Sequence, residues 1–149
     1  MQIRPIEIRD VEPILSIQSI SPEAAQWSAW DYERVARGEM AGLGAEDKAQ
    51  VLGFLVARLV ATDLELLNIA VHPQHRRSQV ATALLNKLLI SPAAAKAENI
   101  FLEVRESDRG AICFYEKHEF KQAGRRKAYY RDPTEDALLL RREIGKPSP

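Results

Sequence analysis

The chain has 149 residues, enough for one domain that buries roughly 68–70% of the surface its unfolded form would expose. Lysine plus arginine and aspartate plus glutamate each number 21, so the formal net charge is zero and no global charge favours a nucleic-acid partner. The single cysteine excludes an internal disulfide, and without a leader or an apolar run of roughly 18 residues we expect a cytoplasmic protein with no membrane span.

The amino-terminal part of the chain predicts one strand and two helices. Residues 1–8 alternate apolar and polar side chains, as a half-buried strand does, and Asp10 can cap a first helix. Ser28 can cap a second helix, which we expect to end near Gly38.

The middle of the chain predicts a strand pair that leads into a helix. Residues 41–48 contain glycine and polar side chains and predict a turn or an edge hairpin. The apolar runs 51–60 and 64–71 predict an antiparallel pair near the centre of a sheet. From Ala81 the apolar side chains recur at three- and four-residue spacing, which predicts a helix up to Ile90.

A basic loop joins this strand to this helix, and it consists of Arg76, Arg77, Ser78, Gln79 and Val80. A helix start presents backbone N–H groups without intrahelical partners and the positive end of the helix dipole, so such a loop suits a phosphate or pyrophosphate. The alternative is an ordinary solvated helix start, which the loop alone does not exclude.

Glu103 is the one charge in the apolar run 100–104, which predicts a buried strand. Desolvation raises the pKa of a carboxylate in such surroundings, toward the range in which a general base works at neutral pH. The alternative is that Glu103 forms a structural ion pair, for example with Arg105 or Arg131.

The remaining segments predict one helix and a final strand pair. Ser107 or Asp108 can cap the helix, on which we expect Cys113 to be a buried, inert thiol. Residues 120–128 and 137–140 predict the two strands. The basic triplet Arg125-Arg126-Lys127 is expected to be a solvated turn.

The predicted order is β-α-α-β-β-β-α-β-α-β-β, which is typical of an α/β fold of the α+β kind with a mixed sheet. We expect residues 1–144 to form a single domain and residues 145–149 a frayed tail. A metal site is not expected, because Pro73 bends the chain between His72 and His75 and no third ligand is near.

The strand, basic loop and helix resemble the pyrophosphate-binding motif of the GCN5-related N-acetyltransferases, the GNAT family. That motif reads Gln/Arg-x-x-Gly-x-Gly/Ala, and here Arg76 takes its first position and Ala81 its last. Further stretches are similar to the RimI type of this family: Leu66-Leu67-Asn68-Ile69-Ala70-Val71, Leu102-Glu103-Val104-Arg105, Phe114-Tyr115-Glu116, Tyr129-Tyr130 and Glu135-Asp136-Ala137. The resemblance implies a GNAT-like, mostly antiparallel sheet flanked by helices.

The resemblance also implies an activity, the transfer of acetyl from acetyl-CoA to an amine. Glu103 would then be the general base, and Tyr115 the general acid that protonates the departing thiolate. Acetyl-CoA would contact Asp108 and the residues on both sides of the loop, namely Ile69, Ala70, Val71, Arg76, Arg77, Ser78, Gln79, Val80, Ala81 and Thr82. The alternative for Tyr115 is an ordinary core residue.

The acceptor implied by the RimI type is the α-amine of a protein N-terminus, in that family the N-terminus of a ribosomal protein. We expect no nucleic-acid or membrane partner, and either a monomer or a homodimer. Acetylation of a small amine or of a lysine side chain by the same fold remains an alternative.

Two positions depart from the family pattern. Gln79 replaces the first glycine of the motif, at a cost of roughly 1–2 kcal/mol if its backbone is left-handed and of mere crowding if it is helical. Asp108 replaces an asparagine, and an ionised carboxylate cannot donate a hydrogen bond to a cofactor. A second alternative is therefore a catalytically degenerate module that only binds an acyl-CoA.

Overall fold

The computed structural model describes residues 1–144, and all of its strands belong to one seven-stranded sheet. The strands are β1 Gln2–Pro5, β2 Ala41–Asp47, β3 Gln50–Val60, β4 Asp63–Val71, β5 Asn99–Arg105, β6 Lys121–Tyr130 and β7 Glu135–Glu143. Their order across the sheet is β1-β2-β3-β4-β5-β7-β6. The tail expected at residues 145–149 lies outside the described residues.

Neighbouring strands are antiparallel throughout, except that β4 and β5 are parallel. The expected mixed, mostly antiparallel sheet is therefore confirmed, and so is the antiparallel pair β3 and β4 at its centre. Residues 41–48 form more than a turn, because β2 pairs with β3 on one side and with β1, at the edge, on the other.

Within residues 1–144, five α-helices connect the strands: α1 Val11–Ser19, α2 Ala29–Ala36, α3 Val80–Leu89, α4 Pro92–Ala95 and α5 Arg109–Lys117. Short 3-10 turns at Ile8–Asp10 and Pro73–His75 precede α1 and α3. The predicted element order is confirmed, and α4 is a single turn that the sequence did not predict. Among residues 1–144, the helices are all too short or too polar to cross a membrane.

Side chains begin two of these helices as expected. Ser28 caps α2, since its hydroxyl accepts from the N–H of Asp31 at 3.2 Å while the Asp31 carboxylate accepts from the N–H of Ser28 at 2.8 Å. This reciprocal pair is a capping box. Asp108 caps α5, because its carboxylate accepts from the N–H of Ala111 at 3.1 Å.

The expected cap by Asp10 is wrong. Its carboxylate accepts from the N–H of Glu7 at 2.8 Å and pairs with the Arg4 guanidinium at 2.7 Å. Arg4 also pairs with Glu46 of β2 at 3.1 Å. A buried carboxylate needs a charged partner, and the partner here comes from the neighbouring strand β1 rather than from the helix.

Helices cover both faces of the sheet and define two cores. One core, under α3 and α5, includes Leu55, Leu64, Leu84, Leu85, Leu88, Ile100 and Tyr115. The other core, under α1 and α2, includes Ile14, Ile17, Tyr32, Phe54, Val56 and Ala70. Gly53 lets β3 pack closely, because a Cβ there would lie 2.8 Å from the Ala70 carbonyl oxygen and 3.2 Å from Cγ1 of Val80.

Candidate functional site

The two parallel strands at the centre of the sheet separate soon after they meet. β4 and β5 pair only through three positions, the last of which joins Glu65 to Phe101. Beyond it β4 runs on to Val71 and β5 to Arg105, and within residues 1–144 no strand fills the space between them. The separation leaves a cleft whose β4 wall carries backbone groups without a sheet partner.

A β-bulge lies on the β4 side of this cleft. Val56 of β3 faces Asn68 and Ala57 faces Leu66, so Leu67 is an extra residue on β4. The bulge reverses the alternation of side chains, because Leu66 and Ile69 both contact the core under α3, whereas Leu67 contacts the other core. Ladder bonding is therefore interrupted next to the predicted cofactor residues that follow on β4.

The loop before α3 has an unusual backbone. Gln79 is left-handed, with φ 67° and ψ 15°, and Arg77 has φ 65°. The conformational question that the sequence left open is thereby decided, and Gln79 carries the cost of roughly 1–2 kcal/mol for a left-handed non-glycine residue. The left-handed Gln79 is followed directly by the helical Val80, and such a step turns successive N–H groups to one side, which suits an anion.

The start of α3 is also uncapped. Gln79 is its N-cap residue and makes no side-chain cap hydrogen bond. The first N–H of α3 that has a helical acceptor is that of Ala83, which bonds the carbonyl of the N-cap residue Gln79 at 2.9 Å. The N–H groups of Val80, Ala81 and Thr82 therefore have no intrahelical acceptor and are available, with the helix dipole, to an anionic group.

The two arginines of the loop differ in their surroundings. Arg76 pairs with Glu23 at 3.0 Å, and its Nε donates to the Val71 carbonyl at 3.4 Å. Arg77 is exposed and forms no ion pair with any residue in the part of the chain that the structure describes. Arg77 is therefore the cation that could meet a phosphate without first losing a partner.

Thr82 links α3 to the end of α5, since its hydroxyl lies 3.3 Å from Nε2 of His118. Burial lowers the pKa of His118, and the Arg142 guanidinium lowers it further. His118 is thus held neutral between two helices. The Asp108 carboxylate is already engaged as the α5 cap, so a cofactor contact is not needed to explain its position.

Glu103 lies on β5 and faces away from the core under α5, because its neighbours Leu102 and Val104 occupy that core. Nε of Arg126 lies 2.7 Å from its Oε1. The carboxylate charge, together with a hydrogen bond from the hydroxyl to Glu103, raises the pKa of Tyr129. Arg126 and Tyr129, both on β6, therefore lie beside the carboxylate.

Glu103 does form an ion pair, as the alternative interpretation of the sequence held, but with Arg126 rather than with Arg105 or Arg131. Arg105 pairs with Glu135 at 3.0 Å and lies 4.3 Å above the ring of Tyr130. Glu135 also accepts from the N–H of Ser107 at 2.8 Å, and its bonds with Ser107 and Arg105 hold its pKa below the usual range. These contacts fasten the β6–β7 turn to the end of β5.

Tyr115 lies on the opposite side of the sheet from Glu103. It is 5% exposed and packs edge-on against Phe114 and Phe120, with ring centroids 5.1 and 5.3 Å away. Burial raises its pKa well above the ordinary value, so the phenol is protonated at neutral pH. The two predicted catalytic residues thus occupy the two faces of the sheet.

Two sequence interpretations near the site are wrong, and one residue was missed. Cys113 is exposed rather than buried, because the buried side of α5 carries Ile112 and Tyr115. The basic triplet is part of β6 rather than a solvated turn, and Arg125 pairs with Glu106 at 2.8 Å. Arg126, now the partner of Glu103, was missed.

A cavity of about 340 Å³ lies elsewhere, between α1 and the β2–β3 turn. His72 borders it, and Glu103 and Tyr115 do not. Within residues 1–144, no group of three or more histidine, cysteine, aspartate or glutamate side chains is arranged to hold a metal ion. The cleft and the α3 loop are therefore the chemically distinctive features.

Comparison with known proteins gives consistent matches. The sequence model described as "Acetyltransferase (GNAT) family" matches residues 8–120. The [ribosomal protein bS18]-alanine N-acetyltransferase of Escherichia coli K12 is 33% identical over 93 residues, which cover 61% of this chain and 63% of that enzyme. An N-alpha-acetyltransferase of Sulfurisphaera tokodaii is 30% identical over 153 residues, covering 93% of this chain and 90% of that protein.

A solved structure extends the likeness to the whole fold. The crystal structure of the ribosomal-protein-S18-alanine N-acetyltransferase from Escherichia coli matches with a TM-score of 0.85 and 26% sequence identity. The match covers 99% of this chain and 96% of that one.

Proposed function

The chain belongs to the acetyltransferase (GNAT) family, and from that premise we propose that it is a RimI-like N-acetyltransferase. Its reaction is the transfer of acetyl from acetyl-CoA to the α-amine of a protein N-terminus. The observation that carries this proposal is the cleft between β4 and β5, with an uncapped helix start on one face of the sheet and Glu103 on the other.

The residues around the cleft fit acetyl-CoA. The free N–H groups at the start of α3 and the unpaired Arg77 suit its pyrophosphate. Ile69, Ala70 and Val71 lie on the part of β4 that pairs with β3 but no longer with β5. The backbone groups that face the cleft can bond an extended arm that carries amides. Acetyl-CoA supplies the acetyl group as a thioester.

Glu103 is proposed as the general base. Its carboxylate is 17% exposed, and Arg126 and Tyr129 hold it on the face of the sheet opposite α3. An amine that enters from that face meets Glu103, directly or through one water, and loses a proton to it. The ion pair with Arg126 keeps the carboxylate oriented until the amine arrives.

Tyr115 is proposed as the general acid. Its hydroxyl is protonated at neutral pH and would give this proton to the departing thiolate. Tyr115 lies on the α3 side of the sheet, and the thiol would remain on that side. A base and an acid on opposite faces of the sheet suit a reaction in which the acetyl group passes from one face to the other through the cleft.

An α-amine is the acceptor that this arrangement favours. Its pKa of about 7.7–8.0 leaves an appreciable neutral fraction at pH 7, whereas a lysine near 10.4 starts about 2.5 units, or roughly 3.4 kcal/mol, worse. The relatives whose names specify an alanine or an alpha acetyltransferase support the same choice. The exposed single cysteine is consistent with the reducing cytoplasm as the place of reaction.

Titration with acetyl-CoA and a thiol-release assay test the proposal together. The acceptors are a basic peptide that begins with alanine, the same peptide with a blocked α-amine and an internal lysine, and a small primary amine. We expect release with the first peptide only. Release with the blocked peptide or the small amine would assign the lysine or small-amine activity instead, and binding without any release would identify a degenerate acyl-CoA module.

A further inference from the structure

Two buried amide side chains form hydrogen bonds with one short segment of the loop between α1 and α2. Asn68 of β4 accepts from the N–H of Ala25 at 3.1 Å and donates to the Ala25 carbonyl at 3.1 Å. Gln18 of α1 accepts from the N–H of Trp27 at 3.1 Å and donates to its carbonyl at 2.9 Å. Each amide thus bonds both the N–H and the carbonyl of one residue, as a neighbouring strand would. Residues 25–27 are called the clamped segment below.

The hydroxyl of Tyr32 joins the two amides. It accepts from Nδ2 of Asn68 at 3.0 Å and donates to Oε1 of Gln18. Tyr32 is fully buried, and Asn68 and Gln18 are 4% and 7% exposed. Every buried side-chain nitrogen and oxygen within residues 1–144 has a hydrogen-bond partner. A fully satisfied buried network of this kind specifies one arrangement of its members.

The clamped segment lies on the same face of the sheet as Glu103. Asn68 shares the core under α1 and α2 with Ala70, since its partner Tyr32 belongs to that core. Glu103 faces this side as well, because Leu102 and Val104 face the other. Asn68, which holds the segment, and Glu103 therefore lie on the two strands that border the cleft, beyond the point where β4 and β5 separate.

A second contact ties the same loop to the start of α3. Glu23, two residues before the clamped segment, pairs with Arg76 at 3.0 Å. Both side chains are nearly half exposed, so this pair alone adds little to stability. The buried amides, rather than the ion pair, fix the position of the loop.

We propose that Asn68 and Gln18 are positioning residues for the acceptor, and that the clamped segment they hold forms the wall of the acceptor site opposite Glu103. The inference rests on the proposed acetyltransferase function. Because the two amides bond the backbone of the segment rather than its side chains, they set the width of the site whatever residues occupy positions 25–27. Neither amide touches the reacting atoms, so both act through the segment.

The test compares Asn68→Ala and Tyr32→Phe with a control, Val35→Ala. Tyr32→Phe keeps the ring that packs against Trp27 and Phe54 and removes only the bridging hydroxyl. Val35 belongs to the same core and packs against Gly42, and its side chain has no polar atom that could bond the segment. The readouts are KM for the peptide acceptor, KM for acetyl-CoA, melting temperature, and hydrogen exchange of the Ala25 and Trp27 amides.

We expect Asn68→Ala to raise the acceptor KM about tenfold, equivalent to about 1.4 kcal/mol, with KM for acetyl-CoA unchanged within about twofold. Tyr32→Phe gives a smaller rise of the same kind, and exchange of the Ala25 amide accelerates in Asn68→Ala. Val35→Ala lowers the melting temperature without changing the ratio of the two KM values.

An unchanged acceptor KM in Asn68→Ala, or a ratio that moves equally in Val35→Ala, would overturn the positioning role while leaving the acetyltransferase intact. A wild-type protein that acetylates none of the amines would instead overturn the proposed function, and the acceptor site with it. Should Asn68→Ala fail to fold, Tyr32→Phe alone decides, because a role in positioning requires its acceptor KM to rise.

Discussion

Replacing Gln79 by glycine should stabilise the protein, against the usual effect of glycine at a helix start. Gln79 holds φ 67°, so glycine removes a cost of roughly 1–2 kcal/mol. Glycine also adds unfolded-state entropy worth roughly 0.5–1 kcal/mol against folding. The difference of about 0.5–1 kcal/mol corresponds to a rise in melting temperature of about 1–4 °C for a chain of this size.

The same substitution should change the affinity for acetyl-CoA little, within roughly threefold. If the loop keeps this left-handed backbone when acetyl-CoA is bound, the strain is the same in both states and cancels in the binding free energy. Only crowding between the glutamine side chain and a phosphate would remain. Calorimetric titration at fixed salt measures this term.

Ala61→Gly is the matched control, because Ala61 also has a left-handed backbone, with φ 55°, in the exposed turn between β3 and β4. It should raise the melting temperature by a similar amount without affecting acetyl-CoA. If Ala61→Gly stabilises and Gln79→Gly destabilises, the strain argument fails at Gln79 and its side chain must hold the loop. A tenfold loss of affinity in Gln79→Gly would make the glutamine a direct ligand.

Three further changes test the site. Glu103→Gln should lower turnover about 10²-fold or more with acetyl-CoA affinity unchanged. The control Glu106→Gln, which removes another ion-paired carboxylate, should leave turnover unchanged. Equal turnover rates in the two variants would remove Glu103 from the mechanism. Tyr115→Phe should fold and bind acetyl-CoA but release thiol about 10²-fold more slowly, and normal release would make Tyr115 a core residue only. His118 has a lowered pKa through burial and Arg142, so the unfolded chain takes up its proton first and stability falls as pH drops below about 6.5. His118→Gln should flatten this fall in urea midpoints measured between about pH 7.5 and 5.5, and an unchanged slope would contradict the assignment.

Local signals in the sequence predicted much of the fold. Ser28 and Asp108 cap helices as their positions indicate, because a cap bonds an N–H only three residues away. The change of period around the α3 loop likewise predicted β4 and α3, since both patterns are read over neighbouring residues.

Pairings between distant residues could not be predicted in the same way. Glu103 faces Leu139 across β5 and β7, and Leu139 faces Gly124 of β6, so the partner of Glu103 depends on two registers. The second register shifts between Arg126 and Tyr130, and no local pattern marks that irregularity. The Gln18–Asn68 clamp was missed for the same reason, since its members come from different elements.

The divergence of β4 and β5 also bears on self-association. The outer strands β1 and β6 each have one edge without a hydrogen-bonded neighbour, and two separated strands inside the sheet would normally add two more such edges. Open strand edges can pair with strands of other molecules. Here the strands touch at Glu65 and Phe101 and widen only from there, so the opening is a wedge closed at one end. A ligand with one free end can thread into it, whereas a continuous strand from a neighbouring molecule cannot pass through. The shape of the cleft thus protects its free backbone groups from pairing with a strand of a neighbouring molecule.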